Sequence, residues 1–159
     1  MKKIYTSYFY QIRHFKRHMI PLSTAFWDPK WFHQHVRTVY KDKNGVYNGF
    51  RIEEFVPQNH ECRGFDDCDA QVRGECNFLK LYRQQLDELD FDSVIEFFDQ
   101  LCMTVDKWEH FEEEPVIVLM VYESPDNPCS ERRVIQEWFK DHGVVVEELD
   151  PRKESCHAT

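Results

Sequence analysis

The sequence predicts a small three-layer α/β domain with a mainly parallel sheet. Three observations predict it. Residues 115–122, PVIVLMVY, form an apolar run without alternation, as expected of a central strand buried on both faces. Next comes SERRVIQEWFKDHG, with apolar residues at helical spacing, and then VVVEEL, so the order is strand, helix, strand, which returns the chain parallel. Upstream, two more amphipathic segments supply helices to cover a sheet.

The elements follow in order. KIYTSYF, residues 3–9, is β-branched and aromatic and reads as a first strand. HMIPLSTAF, residues 18–26, reads as a second, with Pro21 marking an edge or an irregular start. In DPKWFHQHV, Asp28 is placed to cap a short helix with Pro29 at its first position. KDKNGVYNG carries turn signals, and FRIEEFV, residues 50–56, reads as a further short strand. A cysteine-containing insertion, residues 60–76, has no apolar periodicity. NFLKLYRQQLDEL sets Phe78, Leu79, Tyr82, Leu86 and Leu89 on one helical face. DFDSVIEFFDQLCMTV repeats the pattern, with Asp92 or Ser93 as the expected N-cap. In the last helix Val134, Ile135, Trp138 and Phe139 should point inward, and Gly143 should stop it. The expected domain is 1–150, with 151–159 a disordered polar tail.

With 159 residues, 42% of them hydrophobic, the chain can build one real core. No apolar run approaches the ~20 residues of a membrane span, and no signal-type apolar core follows Met1. A soluble, cytoplasmic protein with no membrane partner is expected. Six cysteines are too few for a disulfide scaffold of this size, so reduced thiols or metal ligation are the better expectation. The net charge of -9 is uneven: residues 1–43 balance at +7 and the remainder at -16. The basic third is also rich in aromatics, which suits a surface that meets phosphates and stacks bases. The plainer alternative is that its aromatics are core and its lysines solvated.

Two clusters carry chemistry. In ESPDNPCSERR the central strand gives way to a helix, where backbone N–H groups and the helix dipole favour an anion. Ser130 fits an N-cap there, and Arg132 and Arg133 are permanently charged donors suited to phosphate or carboxylate. Cys129 would feel the same positive field, which makes it a candidate nucleophile, and Glu123 a candidate general base. Against these stand a buried small thiol and an ordinary salt bridge. The loop lacks phosphate-gripping glycines, and the Cys-to-Arg spacing is too short for a cysteine-phosphatase cradle. Thr6, Ser7 and Tyr8, near the end of the first strand, would line the same mouth if that strand neighbours the central one. Trp27 and Trp31 would supply a stacking wall, or plug the core.

The second cluster is His60, Cys62, Cys68 and Cys76, with cysteines spaced C-x5-C-x7-C. Thiolates suit zinc, with an iron–sulfur cluster behind it, and either wants four ligands, the fourth being His60 or Cys102. No tight CxxC pair is present, and independent thiols are the competing reading.

With both ends read, IYTSYF (4–9), IPLSTAFWDPKWF (20–32), ECRGFDDCDAQVRGECNFLKLYRQQLDELDF (61–91) and VYESPDNPCSERRVIQEWF (121–139) give the chain a resemblance. It resembles the DUF488 proteins, small prokaryotic and phage domains without a settled activity. Their pattern at the last junction is an acidic residue, a short proline loop, then Cys-His-Arg opening a helix. Glu123 and Cys129 match it. Ser130 stands where the family often has histidine, and the arginine role falls to Arg132 or Arg133. The Asp-x-Arg often found after an early strand is absent here. The resemblance implies a Rossmann-like α/β fold and names no reaction. Two functional expectations result. One is a domain that binds or acts on a phosphorylated or otherwise anionic small molecule or nucleotide at the Cys129–Arg133 turn. The other is a nucleic-acid or protein interaction module using the basic aromatic third, with the metal-stapled loop as scaffold.

Overall fold

The computed structural model describes residues 3–34, 47–58, 76–127 and 129–150. Among the described residues six strands form one sheet: β1 Ile4–Tyr8, β2 Met19–Ser23, β3 Phe32–Gln34, β4 Tyr47–Arg51, β5 Val116–Val121 and β6 Glu147–Glu148. Their order is β3-β4-β2-β5-β1-β6, and every pairing is parallel. The helices are α1 Asn77–Asp87, α2 Phe91–Glu109 and α3 Arg132–Asp141. This is the expected small Rossmann-like three-layer domain.

The apolar run of residues 115–122 makes the centre of the sheet because both its faces must be buried. β5 lies between β1 and β2, in register Ile4↔Ile117 to Tyr8↔Val121 on one side and Met19↔Val116 to Ser23↔Met120 on the other. Strand alternation then divides the core. Ile4, Ile20, Leu22, Ile117 and Leu119 face α1, α2 and α3. Met19, Val118 and Met120 face a thinner layer built from Phe9 and Ile12 of the 3-10 helix Phe9–His14, with Ala25, Phe32 and Leu149. The four α3 residues expected inside, Val134, Ile135, Trp138 and Phe139, are all buried. Gly143 ends the helix at φ 84°, a conformation that favours glycine. Gly49 on β4 is required by close approach: a Cβ there would lie 2.5 Å from Phe32 Cζ and 2.9 Å from the Pro21 carbonyl oxygen.

Several local expectations are corrected. Asp28 and Pro29 do not open a helix; Phe32–Gln34 is instead the edge strand β3. Asp28 is spent elsewhere, accepting from the Ser23 hydroxyl and from Arg51 Nη1 at 3.0 Å. The strand expected at 50–56 ends at Arg51, and Glu53–Phe55 is a 3-10 turn. The N-cap of α2 is Asp90, whose carboxylate accepts from the N–H of Ser93 at 3.2 Å and its hydroxyl at 2.5 Å. Asp92 and Ser93 are therefore the second and third helical residues. Pro21 lies not at an edge but in β2, between β4 and β5. The last strand shrinks to two residues, with Val144 and Val146 packed into the core ahead of it.

Candidate functional site

All strands run parallel, so β1, β2, β4 and β5 end at one edge of the sheet, and α3 begins there. The adjacency of β1 and β5 brings Thr6 and Tyr8 to α3. Thr6 Oγ1 donates to Glu148 Oε1 at 2.8 Å and accepts from Gln136 Nε2 at 2.8 Å. Arg132 Nε donates to the same Glu148 oxygen at 2.9 Å. One strand end, one edge strand and one helix start are thereby tied by a buried polar network.

Arg132 is the centre of this network, and its side chain is 3% exposed. Its Nη1 and Nη2 are buried and have no hydrogen-bond partner among the described residues, and neither has Glu148 Oε2. Such orphaned groups cost about 1–3 kcal/mol each, more when charged, so a buried guanidinium normally fills its fork. The ring of Tyr8 lies 5.5 Å from its Cζ. Burial holds the Glu148 carboxyl above its usual range, against the pull of Arg132 and of the hydrogen bond from Thr6.

On the neighbouring side of the α3 start stand two carboxyls. Ser130 Oγ donates to Glu123 Oε2 at 3.3 Å and accepts from the Arg132 N–H at 3.3 Å. The expected N-cap, Ser130, is corrected: Glu131 holds that position, and Ser130, one residue earlier, accepts from the N–H of the first helical residue. Glu131 is only 7% exposed. Its carboxyl is pushed up to about 8, first by burial, then by the charge of Glu123 and the hydrogen bond the two share. A backbone hydrogen bond and Arg132 pull the other way. Near neutral pH Glu131 therefore holds its proton. Cys129 is half-buried beside them, its N–H donating to Asn127 Oδ1 at 2.8 Å.

The remaining expected site residues are dispersed. Ser7 alternates to the opposite face of the sheet, fully buried, with no partner for its hydroxyl among the described residues. Arg133 is exposed and borders a shallow surface depression with Gln136, Glu137, Lys140 and Val145. His60, Cys62 and Cys68 lie outside the described residues. Cys76, their expected fellow ligand, is buried at the start of α1 and belongs to the helix-side core, as does Cys102 on α2. Among the described residues no cluster of three His, Cys, Asp or Glu side chains is placed to hold a metal.

Glu131, Gln136 and Glu148 were not singled out in the sequence, and neither was Arg51. Arg51 Nη2 donates to the Phe26 carbonyl at 3.0 Å and Nη1 to Asp28, pinning the loop that follows β2. A partial signal for Glu148 existed: in VVVEEL two acidic residues follow an apolar run, and the helix before them opens with two arginines.

The fold and this edge define a Rossmann-like α/β domain with an arginine-centred polar site at the carboxyl ends of its strands. Compared with known proteins, the chain matches no family model, no curated protein and no solved structure.

Proposed function

We propose that this site binds, or acts on, a phosphorylated or otherwise anionic small molecule at the start of α3. The observation that carries this reading is the buried Arg132 fork, whose two terminal nitrogens lack partners. The α3 N-terminus adds a favourable dipole. Glu148 offsets the arginine charge, and Glu131, protonated near neutral pH, adds none. An incoming anion would raise the proton affinity of Glu131 and Glu148 further, so affinity should strengthen as pH falls. Glu123, hydrogen-bonded to Ser130 and to Glu131, is the proposed acid–base group, with Cys129 nearby in the same turn. The same reading keeps the resemblance to the DUF488 proteins as a proposal.

Thermal unfolding in inorganic phosphate tests it. At about 100 times Kd the parent should gain roughly 2.7 kcal/mol, about 5–10 °C for a chain of this size. Arg132→Met should abolish the gain, and Arg133→Ala, on the exposed face, should keep it. Should Arg132→Met fail to fold, Arg132→Lys retains the charge without the fork and should bind more weakly. No shift in the parent, or equal shifts in parent and Arg132 variants, would refute the reading.

The metal reading is also kept as a proposal: Cys62, Cys68, Cys76 and His60 hold zinc, with an iron–sulfur cluster the less favoured occupant. Buried Cys76 would anchor such a loop to the core. Purified protein should then contain near-stoichiometric zinc by elemental analysis, lost when the first two cysteines become serine. A folded, metal-free parent would end the idea.

The interaction-module reading draws on one observation: Trp27 is 75% exposed and Tyr10 61%. Large exposed aromatics in this basic third would suit a surface that stacks bases or docks a protein.

A further inference from the structure

The polar site does not stop at Arg132. Tyr8, whose ring lies 5.5 Å from the Arg132 Cζ, is followed by Tyr10, its ring nearly parallel at 13° with centroids 6.2 Å apart. Arg13 then sets its guanidinium 3.9 Å over the Tyr10 ring. Cation, ring, ring and cation thus form one row, running from the buried fork to an exposed aromatic. Beside the row, the Gln11 amide bonds the Tyr8 hydroxyl through Nε2 at 3.1 Å. Its other end, Oε1, is buried with no partner among the described residues.

Each part of the row has a matching part in one class of ligand. A guanidinium fork with empty donors takes an oxyanion. Tyr10 is 61% exposed, and the exposed Arg13 side chain over its ring can swing aside to admit a flat π-system and clamp it there. An amide whose buried oxygen lacks a partner among the described residues can pair with the polar edge of a heterocycle once that edge reaches it. A simple phosphate or sugar phosphate would use the first and leave the other two idle. We propose that the ligand is a nucleotide, its phosphate on Arg132 and its base on Tyr10, with the Gln11 amide toward the base edge. The proposal rests on the anion-site reading and adds the base. The same chemistry is offered by a free mononucleotide and by the phosphorylated end of a single strand.

The test compares calorimetric affinities of the full chain for ribose 5-phosphate, adenosine and uridine monophosphates, adenosine, and a 5′-phosphorylated trinucleotide. On the parent, at least one monophosphate should bind roughly tenfold tighter than ribose 5-phosphate, the usual worth of one stacked base. Tyr10→Ala should bring the monophosphate down to the sugar phosphate, whereas Tyr10→Phe should retain the difference. Arg132→Met should weaken both phosphates together. Equal affinity of the parent for ribose 5-phosphate and both monophosphates would overturn the nucleotide while leaving the anion site standing. Absence of binding by every phosphate would overturn both. Adenosine binding as tightly as its monophosphate would also overturn the proposal. The trinucleotide identifies the source: tighter binding than the monophosphate marks a strand end, and equal or weaker binding marks the free nucleotide.

Discussion

Raising the pH from about 5 to about 8 is expected to lower the stability of this protein, and Glu131→Gln to remove most of that loss. The sign follows from proton counting. In the folded chain the Glu131 carboxyl holds its proton up to about 8, against an ordinary value of 4.5. Between those values the folded state keeps a proton that the unfolded state has released, so stability falls as pH rises. The slope from this one group is at most about 1.4 kcal/mol per pH unit. Its contribution is complete below the ordinary value and is lost as the pH passes through the folded one. Glu148, also raised, acts in the same direction. Glutamine keeps the shape of a protonated Glu131 and can still donate to Glu123 without a charge to bury. Melting temperatures across this range should therefore fall for the parent and stay flatter for Glu131→Gln, which should be the more stable at pH 8. Parallel curves would show that Glu131 does not hold the proton. The neighbours that set the effect are Glu123 and Arg132, while Tyr82 on α1 feels the Glu131 charge in turn.

Trp138→Ala is expected to destabilise the protein by about 3–5 kcal/mol, a loss of roughly 6–20 °C in melting temperature. Trp138 is fully buried where α3 meets the rest of the helix layer. Its ring lies against Phe55 at 5.7 Å, Phe91 at 5.5 Å and Phe139 at 5.1 Å between centroids, all three edge-on. Rings locked together in this way leave a cavity that close neighbours fill only in part. Its indole nitrogen is buried without a partner among the described residues, so the side chain contributes through packing rather than hydrogen bonding. Trp138→Phe removes that unpaired donor and retains much of the volume, so its cost should be well under half that of alanine. Equal losses from the two substitutions, measured by denaturant unfolding, would show that the indole nitrogen is doing hidden work.

The fold was legible where a physical constraint repeats along the chain. The unbroken apolar run of β5 and the helical spacing in α1, α2 and α3 each reflect burial, which sets a period that local sequence displays. The strand–helix–strand order around α3 correctly implied parallel pairing. The failures came where a side chain had two possible employers. Asp28 has the chemistry of a cap and the proline to follow it, but Arg51, 23 residues later, claims its carboxylate. Asp90, Asp92 and Ser93 all suit a cap, and only backbone geometry selects Asp90. In the site, the end of β5, Ser130 and Arg132 were readable because strand-to-helix turns gather ligands. The roles of Glu131 and Glu148 were not, because a carboxyl's proton affinity depends on neighbours brought together by folding. Arg132 and Arg133 are identical letters in the sequence, and only the helical turn buries one and exposes the other.

The strand order has a consequence for how this chain comes to be folded. β1, made before the other described strands, pairs among them with β5 and β6 alone. Its principal partner begins at Val116, so β1 waits through more than a hundred residues of synthesis before a neighbour exists. At about 5–20 residues per second that interval lasts roughly 5–20 s. β2 and β4 can meet earlier, yet they form only an outer part of the sheet. The centre closes only when β5 slides between strands made long before it. Long-range parallel pairing of this kind is intrinsically slow, so the aromatic N-terminal third must remain soluble unaided until its central strand arrives.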